Sequence, residues 1–312
     1  MKDEAVRASS ISFRRILFES LRIPFVLATG HGYDRPPWLN NLHHKLAYRL
    51  HKMLPVFGIS GTQRISVPVQ RELFMYVRAE DGGVAHQLLM YQQYEPFESQ
   101  LVQQYLKPGM TIYNIGANLG YYVLLSSKCI GSTGKVFAFE PEAANLELLH
   151  RTVSENMCRN IEILPVAVSS QSGTATLSLS QTNSGDHQLN AIADRAQIPV
   201  PTVSIDEFIA QGHAPPDVII MDVQGSELDV LRGAKTILAQ RKPLILFMEY
   251  WPSGLNARHV NGAMELLDIL ERAGFHLARI DERAQQLISV RSEALLREVT
   301  GTTEVNLLAL RT

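Results

Sequence analysis

Met110-Thr-Ile-Tyr-Asn-Ile-Gly-Ala-Asn-Leu-Gly120 decides the fold of this chain when read together with Val136-Phe-Ala-Phe-Glu140-Pro141. An apolar strand enters a glycine-bearing turn, a helix follows, and the next strand ends in a carboxylate, Glu140. Open α/β sheets hold nucleoside-bearing cofactors in this way. A dinucleotide usually approaches through Gly-x-Gly-x-x-Gly, whereas here the turn reads Asn114-x-Gly116-x-Asn118-x-Gly120, with asparagine at the middle glycine.

Working outward, strands are expected at 110–115, 135–140, 161–165, 217–222 and 244–249, with helices near 118–130, 143–156, 225–239 and 261–273. That alternation is the rhythm of βαβ units in a parallel sheet. Val218-Ile-Ile-Met221 and Leu244-Ile-Leu-Phe-Met248 are continuous apolar runs, as expected of strands covered on both faces. Segments 275–280, 286–290 and 305–310 read as closing antiparallel strands. Upstream, Ser12–Arg22 and Trp38–Leu54 have helical periodicity, with a break at Pro36-Pro37. Residues 64–69 and 72–77 suggest a hairpin turning at Gln70-Arg71, and Glu98–Leu106 a helix ended by Lys107-Pro108-Gly109. The expected organisation is an N-terminal helical and hairpin extension, 1–92, followed by a catalytic domain, 93–312.

Composition fits an ordinary enzyme: 312 residues, 46% hydrophobic, can bury a large core, and a formal net charge of −2 without a Lys/Arg run argues against nucleic acid. Ile23–Thr29 is too short to span a bilayer and follows charged residues, so no membrane insertion is expected. Cys129 and Cys158 have no metal-site spacing and read as thiols of a reducing cytoplasm, the expected location. The amphipathic N-terminal helices are compatible with a homodimer.

A polar stretch, Gln181-Thr-Asn-Ser-Gly-Asp-His-Gln188, interrupts the alternation between the third and fourth strands. On composition it reads first as a solvated surface loop, and second as a place to hang Asn183, Asp186 and His187 over a cleft. Later, Asp222 and Glu249 end neighbouring strands at the carboxyl edge, where such sheets bind ligands. Hydrogen bonding to acceptor hydroxyls is the favoured reading of that pair, with Gln224 and Trp251 beside it; coordination of a divalent cation is the alternative. Gly225 suits the tight turn, and Glu227 the first turn of the next helix.

Several runs together carry a family likeness: Tyr94-Glu-Pro-Phe-Glu98, Ile115-Gly-Ala-Asn-Leu-Gly-Tyr-Tyr122, Phe139-Glu-Pro141, Ala167-Val-Ser169, Asn183-Ser-Gly-Asp-His187 and Asp217-Val-Ile-Ile-Met-Asp-Val-Gln-Gly-Ser-Glu227. The chain resembles the FkbM family of S-adenosylmethionine (SAM) methyltransferases over about residues 94–250. The resemblance implies a Rossmann-like class I methyltransferase fold, a central, mostly parallel seven-stranded sheet with helices on both faces. It also implies O-methylation of a small hydroxylated acceptor, a sugar or macrocycle. SAM would be bound by Glu98, Asn114, Gly116, Asn118, Gly120, Glu140, Pro141, Ala167 and Asp222, with Glu140 on the ribose hydroxyls. Because an aliphatic hydroxyl needs a base, His187 is the first catalytic candidate, with Asp186 or Asp222 orienting it or replacing it. Asn183, Gln224, Glu249 and Trp251 would contact the acceptor. Two positions depart from the family pattern: Asn114 where an acid is usual, and Met221 where Lys is common. A nicotinamide-dependent oxidoreductase and a noncatalytic scaffold are the competing functions.

Overall fold

A computed structural model describes residues 16–22, 37–67, 70–92, 94–240 and 242–312. The expected helix start at Ser12 and the Ile23–Thr29 run lie outside them. The N-terminal part holds α1 (residues 16–22), α2 (Pro37–Lys52), a 3-10 turn (Leu54–Phe57), the hairpin β1 (Thr62–Val67) and β2 (Gln70–Arg78), α3 (Val84–Tyr91) and α4 (Pro96–Tyr105). Next come β3 (Thr111–Ile115), α5 (Tyr121–Ile130), β4 (Lys135–Phe139), α6 (Ala143–Glu155) and β5 (Ile161–Leu164). A small insertion contributes β6 (Ala167–Val168), β7 (Gly173–Leu179) and β8 (Ala196–Val203) before α7 (Ile205–Ala210). The chain then runs through β9 (Val218–Met221), α8 (Glu227–Arg232), α9 (Lys235–Ala239), β10 (Leu244–Tyr250), α10 (Pro252–Arg258) and α11 (Gly262–Arg272). It closes with β11 (His276–Asp281), β12 (Gln286–Val290), α12 (Ser292–Glu298) and β13 (Val305–Arg311).

The main sheet has the order β12-β11-β13-β10-β9-β3-β4-β5. Strands β10, β9, β3, β4 and β5 run parallel, and β13, β11 and β12 are added antiparallel. The sheet thus has one strand more than the seven the resemblance implies, and all eight, β12 at the edge included, fall on segments expected as strands. Alternation along each strand divides the core into two faces. Tyr113, Ile115, Phe137, Phe139, Ile219 and Met221 pack on one side, and Ile112, Val136, Ala138, Val218 and Ile220 on the other. From β3 the chain moves to β4 and β5 on one flank, then returns to place β9 and β10 on the other. That reversal opens a crevice at the carboxyl ends of β3 and β9, the switch point of a doubly wound sheet.

The hairpin docks on α6. Phe74 N donates to Asn156 Oδ1 at 2.9 Å, Asn156 Nδ2 returns to Phe74 O at 2.6 Å, and Tyr76 N donates to Thr152 Oγ1 at 3.0 Å. Helix side chains thus satisfy an edge that would otherwise invite another strand. Val67, Leu73, Met75 and Val77 join the core face of Ile112 and Val136, while Phe18, Ala47, Leu54, Phe57, Ile59, Ala79, Met90 and Tyr91 form a separate N-terminal cluster.

Two local expectations differ from the structure. Gln70 pairs with Val67, so Gln70-Arg71 begins β2 instead of forming the turn. The helix expected over 225–239 is broken into α8 and α9 at Gly233, where a Cβ would stand 2.3 Å from Ser169 O, so a side chain is excluded by the neighbouring loop. Cys129 and Cys158 are not disulfide-bonded, and among the described residues no helix is long and apolar enough to cross a membrane.

Candidate functional site

The turn after β3 is built by close approach. Gly116 has φ +79°, and a Cβ there would lie 2.2 Å from Asp222 O, so both backbone angle and space require glycine. Asn118 also takes a left-handed conformation, φ 47°, and its N–H donates to Glu140 Oε2 at 2.7 Å. Glu142 N donates to Glu140 Oε1 at 2.9 Å. Glu140 is 4% exposed, and burial pushes its carboxyl up to about 7, against the two backbone N–H groups that favour its charged form. Each oxygen still has a lone pair to offer a hydroxyl beyond the N–H it already accepts.

Beyond this turn lies a cleft with about 1070 Å³ of empty space, part of it open to solvent. Its wall includes Glu95, Glu98, Glu140, Asp222 and Glu249, and no Lys or Arg among the described residues. Four segments deliver the acids: the start of α4, the ends of β4 and β9, and β10. Glu95 and Glu98 come from the start of α4, where Glu282 accepts from Phe97 N at 3.0 Å and Glu98 N at 2.7 Å and so caps the helix. Asn306, paired with Glu249 across β13 and β10, donates to Glu98 Oε2 at 2.6 Å and Glu95 Oε1 at 3.2 Å. Tyr122 OH donates to Glu95 Oε2 at 2.7 Å. Burial first, and the neighbouring carboxylates next, hold Glu98 and Glu249 well above the usual carboxylate range.

Asp222 follows β9 and is open to the cleft, while Met221 packs into the opposite face of the sheet. Gln224, left-handed at φ 49°, places its amide between two acids: Nε2 donates to Asp222 Oδ1 at 2.7 Å and to Glu249 Oε2 at 3.1 Å. Glu227 is fully buried. Its Oε1 accepts from Val223 N at 3.2 Å and Gly225 N at 3.3 Å, closing the strand-to-helix turn.

The polar insertion closes over the same crevice. Ser178 exchanges backbone hydrogen bonds with Gln188, and Asp81, from the end of the hairpin, accepts from Ser184. His187 reaches the cleft wall with Ser180 N donating to its Nδ1 at 3.0 Å. Burial lowers its pKa; Glu142, Asp81 and Asp186 oppose that shift and Arg78 reinforces it. The ring is therefore neutral above its lowered pKa, with Nδ1 accepting and the proton on Nε2.

The structure brings Glu98, Asn114, Gly116, Asn118, Glu140, Pro141, Ala167, His187, Asp222 and Glu249 to one cleft. Other expected residues stand outside its wall. Gly120 begins α5, where a Cβ would meet Leu149 Cδ1 at 2.4 Å, so its requirement is packing. Asp186 is bound by Arg195 at 2.6 Å and Gln188 Nε2 at 2.8 Å, and it organises the loop. Asn183 Oδ1 accepts from Gly185 N at 2.9 Å in a local turn. Trp251 lies against Gly254, where a Cβ would be 2.1 Å from its ring, and serves α10 packing. Gln224 reaches the cleft through its bonds to Asp222 and Glu249. Sequence reasoning missed Glu95, Tyr122, Ser184 and Asn306; the unusual Tyr94-Glu95-Pro96 entry to α4, left-handed at Glu95 with φ 39°, was the one local signal.

The family model described as the Methyltransferase FkbM domain matches residues 114–277, just over half of the chain. The hexuronic acid methyltransferase AglP of Haloferax volcanii is 28% identical over 130 residues, covering 41% of this chain and 51% of that protein. The chain thus matches about half the length of that curated relative. Among solved structures, the methyltransferase FkbM of Methylobacillus flagellatus KT has 14% identity and a TM-score of 0.40, covering 87% of this chain and 70% of that one. The O-methyltransferase of Bacillus cereus in complex with SAH has 10% identity and a TM-score of 0.43, covering 71% and 84%. The match begins at Asn114, the end of β3, and runs into β11, and by it the chain belongs to the FkbM family of methyltransferases, for which SAM is the expected cofactor.

Proposed function

We propose that this protein transfers a methyl group from SAM to a hydroxyl oxygen of a small saccharide or a related natural product. The observation that carries the reading is the position of Asp222, open to the cleft and directly beyond the Gly116 turn that faces Glu140. One methyltransferase relative is named for a hexuronic acid, which supports a sugar acceptor.

The donor set fits SAM. A cleft lined by acids and by no described Lys or Arg suits a group carrying a sulfonium and an ammonium, and Glu140 can accept two ribose hydroxyls. When bound, SAM supplies an electrophilic methyl group. The chain's own task is then to hold the acceptor oxygen in line, exclude water and take the hydroxyl proton; positioning of this kind can lower a barrier by ~7–11 kcal/mol. Asp222 suits the last step better than His187. With Ser180 N–H on its Nδ1, His187 carries its proton on Nε2 and acts as a donor that orients the acceptor, whereas an ionised Asp222 accepts. Val84 at the cleft wall and Asp81 behind the polar loop give the N-terminal extension, residues 1–92, a part in acceptor selection.

Titration calorimetry with SAM and S-adenosylhomocysteine, followed by transfer of labelled methyl to hexose and hexuronic acid glycosides, tests this. Binding that Glu140→Ala weakens by at least about 100-fold, the loss of two hydrogen bonds to a charged group, is expected. Binding indifferent to that substitution, or label on amines and not on hydroxyls, would overturn it.

A further inference from the structure

Asp222, Glu227 and Glu249 each bring one carboxylate oxygen within 4.8 Å of the others. We propose that these three residues form a binding site for a divalent cation of the Mg²⁺ or Mn²⁺ kind. The cluster has a feature that hydrogen bonding to an acceptor leaves unexplained. Glu227 is 0% exposed, and while its Oε1 closes the turn to Val223 and Gly225, its Oε2 has no hydrogen-bond partner among the described residues. A buried carboxylate oxygen without a donor costs free energy, and a bound cation satisfies it.

The donor chemistry selects the ion. All three ligands are carboxylate oxygens, with no His or Cys in the group, so a hard cation is favoured over zinc or copper. Gln224 sits between Asp222 and Glu249 in a left-handed backbone conformation. Rotation of its amide about the last side-chain torsion replaces the NH₂ with a carbonyl oxygen, a fourth hard donor at the same place. Asp222 lies open to the cleft while Glu227 is enclosed, so an ion held here has protein on one side and exchangeable positions on the other. Two oxygens of a diol or a uronic acid could fill those positions. An anionic sugar would otherwise meet Asp222 and Glu249 in a wall with no described Lys or Arg. The site stands on the three residues; its use in holding the acceptor rests on the function proposed above.

Titration of the chelator-treated full-length protein with MnCl₂, following unbound Mn²⁺ by electron paramagnetic resonance, tests the site without any methyl transfer. One Mn²⁺ per chain is expected, with a dissociation constant below ~1 mM and competition by Mg²⁺. Asp222→Asn, open to the cleft and therefore least able to disturb folding, is expected to weaken binding about tenfold or more, as is Glu227→Gln. Glu162→Gln, at the far edge of the sheet on β5, leaves it unchanged. Absence of bound Mn²⁺ in protein that binds S-adenosylhomocysteine overturns the proposal, as does binding indifferent to Asp222→Asn. Methyl transfer that continues undiminished in excess EDTA overturns the ion's role in the reaction and leaves the methyltransferase reading standing.

Discussion

Asp81, just past the β1–β2 hairpin, accepts from both the backbone N–H and the hydroxyl of Ser184, the amide at 3.2 Å, and so ties the end of the hairpin to the loop that carries His187. Gly82 N donates to Thr182 O at 2.7 Å beside it, and Ser184 Oγ lies 3.4 Å from Asn118 Oδ1 in the cofactor turn. The end of the hairpin, the polar loop and the glycine turn are thereby one hydrogen-bonded unit. Hydrogen bonds to a charged group contribute about 1.5–3 kcal/mol each. Asp81→Ala is expected to speed amide hydrogen exchange at residues 180–190 and to raise the acceptor KM more than it lowers kcat. Unchanged exchange in that loop would refute the coupling.

Gly116→Ala is expected to abolish cofactor binding. The added methyl would stand 2.2 Å from Asp222 O at φ +79°, so either the turn or the end of β9 must move. A shift of about 1 Å is enough to lose the geometry of the site. Calorimetry with S-adenosylhomocysteine on a variant that keeps its circular dichroism would check this; wild-type affinity would show that the turn has slack.

The cofactor half was legible because its signals are local. Strand, glycine turn, helix and acid-terminated strand lie within about thirty residues, and each constrains backbone angles or burial by itself. The acceptor half was not. Glu98 and Asn306 are 208 positions apart and meet because β13 inserts between β10 and β11, a non-local pairing that no period reveals. Glu227 was readable as a helix-dipole residue, yet its full burial next to Asp222 and Glu249 depends on how tightly Gly225 lets the turn pack against Gly254. Asp186 and Trp251 pose the opposite difficulty: chemistry-bearing residue types beside a cleft are also good loop ties and good packing, and those are the contacts the two make here.

Stability should depend on pH through the buried acids. Burial raises Glu227 from an ordinary 4.5 to about 7, so the folded state keeps a proton that the unfolded state has released. The stability this contributes is complete below 4.5 and is lost as pH rises through about 7. Glu227→Gln keeps an amide oxygen for Val223 and Gly225 and cannot ionise. In metal-free buffer the variant is expected to gain stability relative to wild type between pH 5 and pH 8, read as the difference of midpoints in urea unfolding. A difference independent of pH would mean that Glu227 ionises freely in the folded protein.

The tautomer of His187 separates the two candidate bases. Ser180 N–H occupies Nδ1 at 3.0 Å, which leaves Nε2 protonated in the neutral ring, and burial lowers the pKa and so favours that neutral ring. Taking a proton at Nε2 would require the other neutral tautomer, with Nδ1–H facing Ser180 N–H. Two donors would then meet, and the bond would be lost. A residue that donates to the acceptor and does not deprotonate it should have a limited effect on rate, whereas removing a general base typically costs 10²–10⁴-fold. His187→Asn, which keeps an acceptor near Nδ1, is therefore expected to lower kcat by less than about tenfold, while Asp222→Asn falls within the general-base range. Nitrogen-15 spectra of the histidine ring should show the proton on Nε2, and the pH profile of kcat should lack a histidine inflection near 6.5. A 100-fold loss in His187→Asn together with such an inflection in wild type would return the base to His187 and leave Asp222 to bind the acceptor.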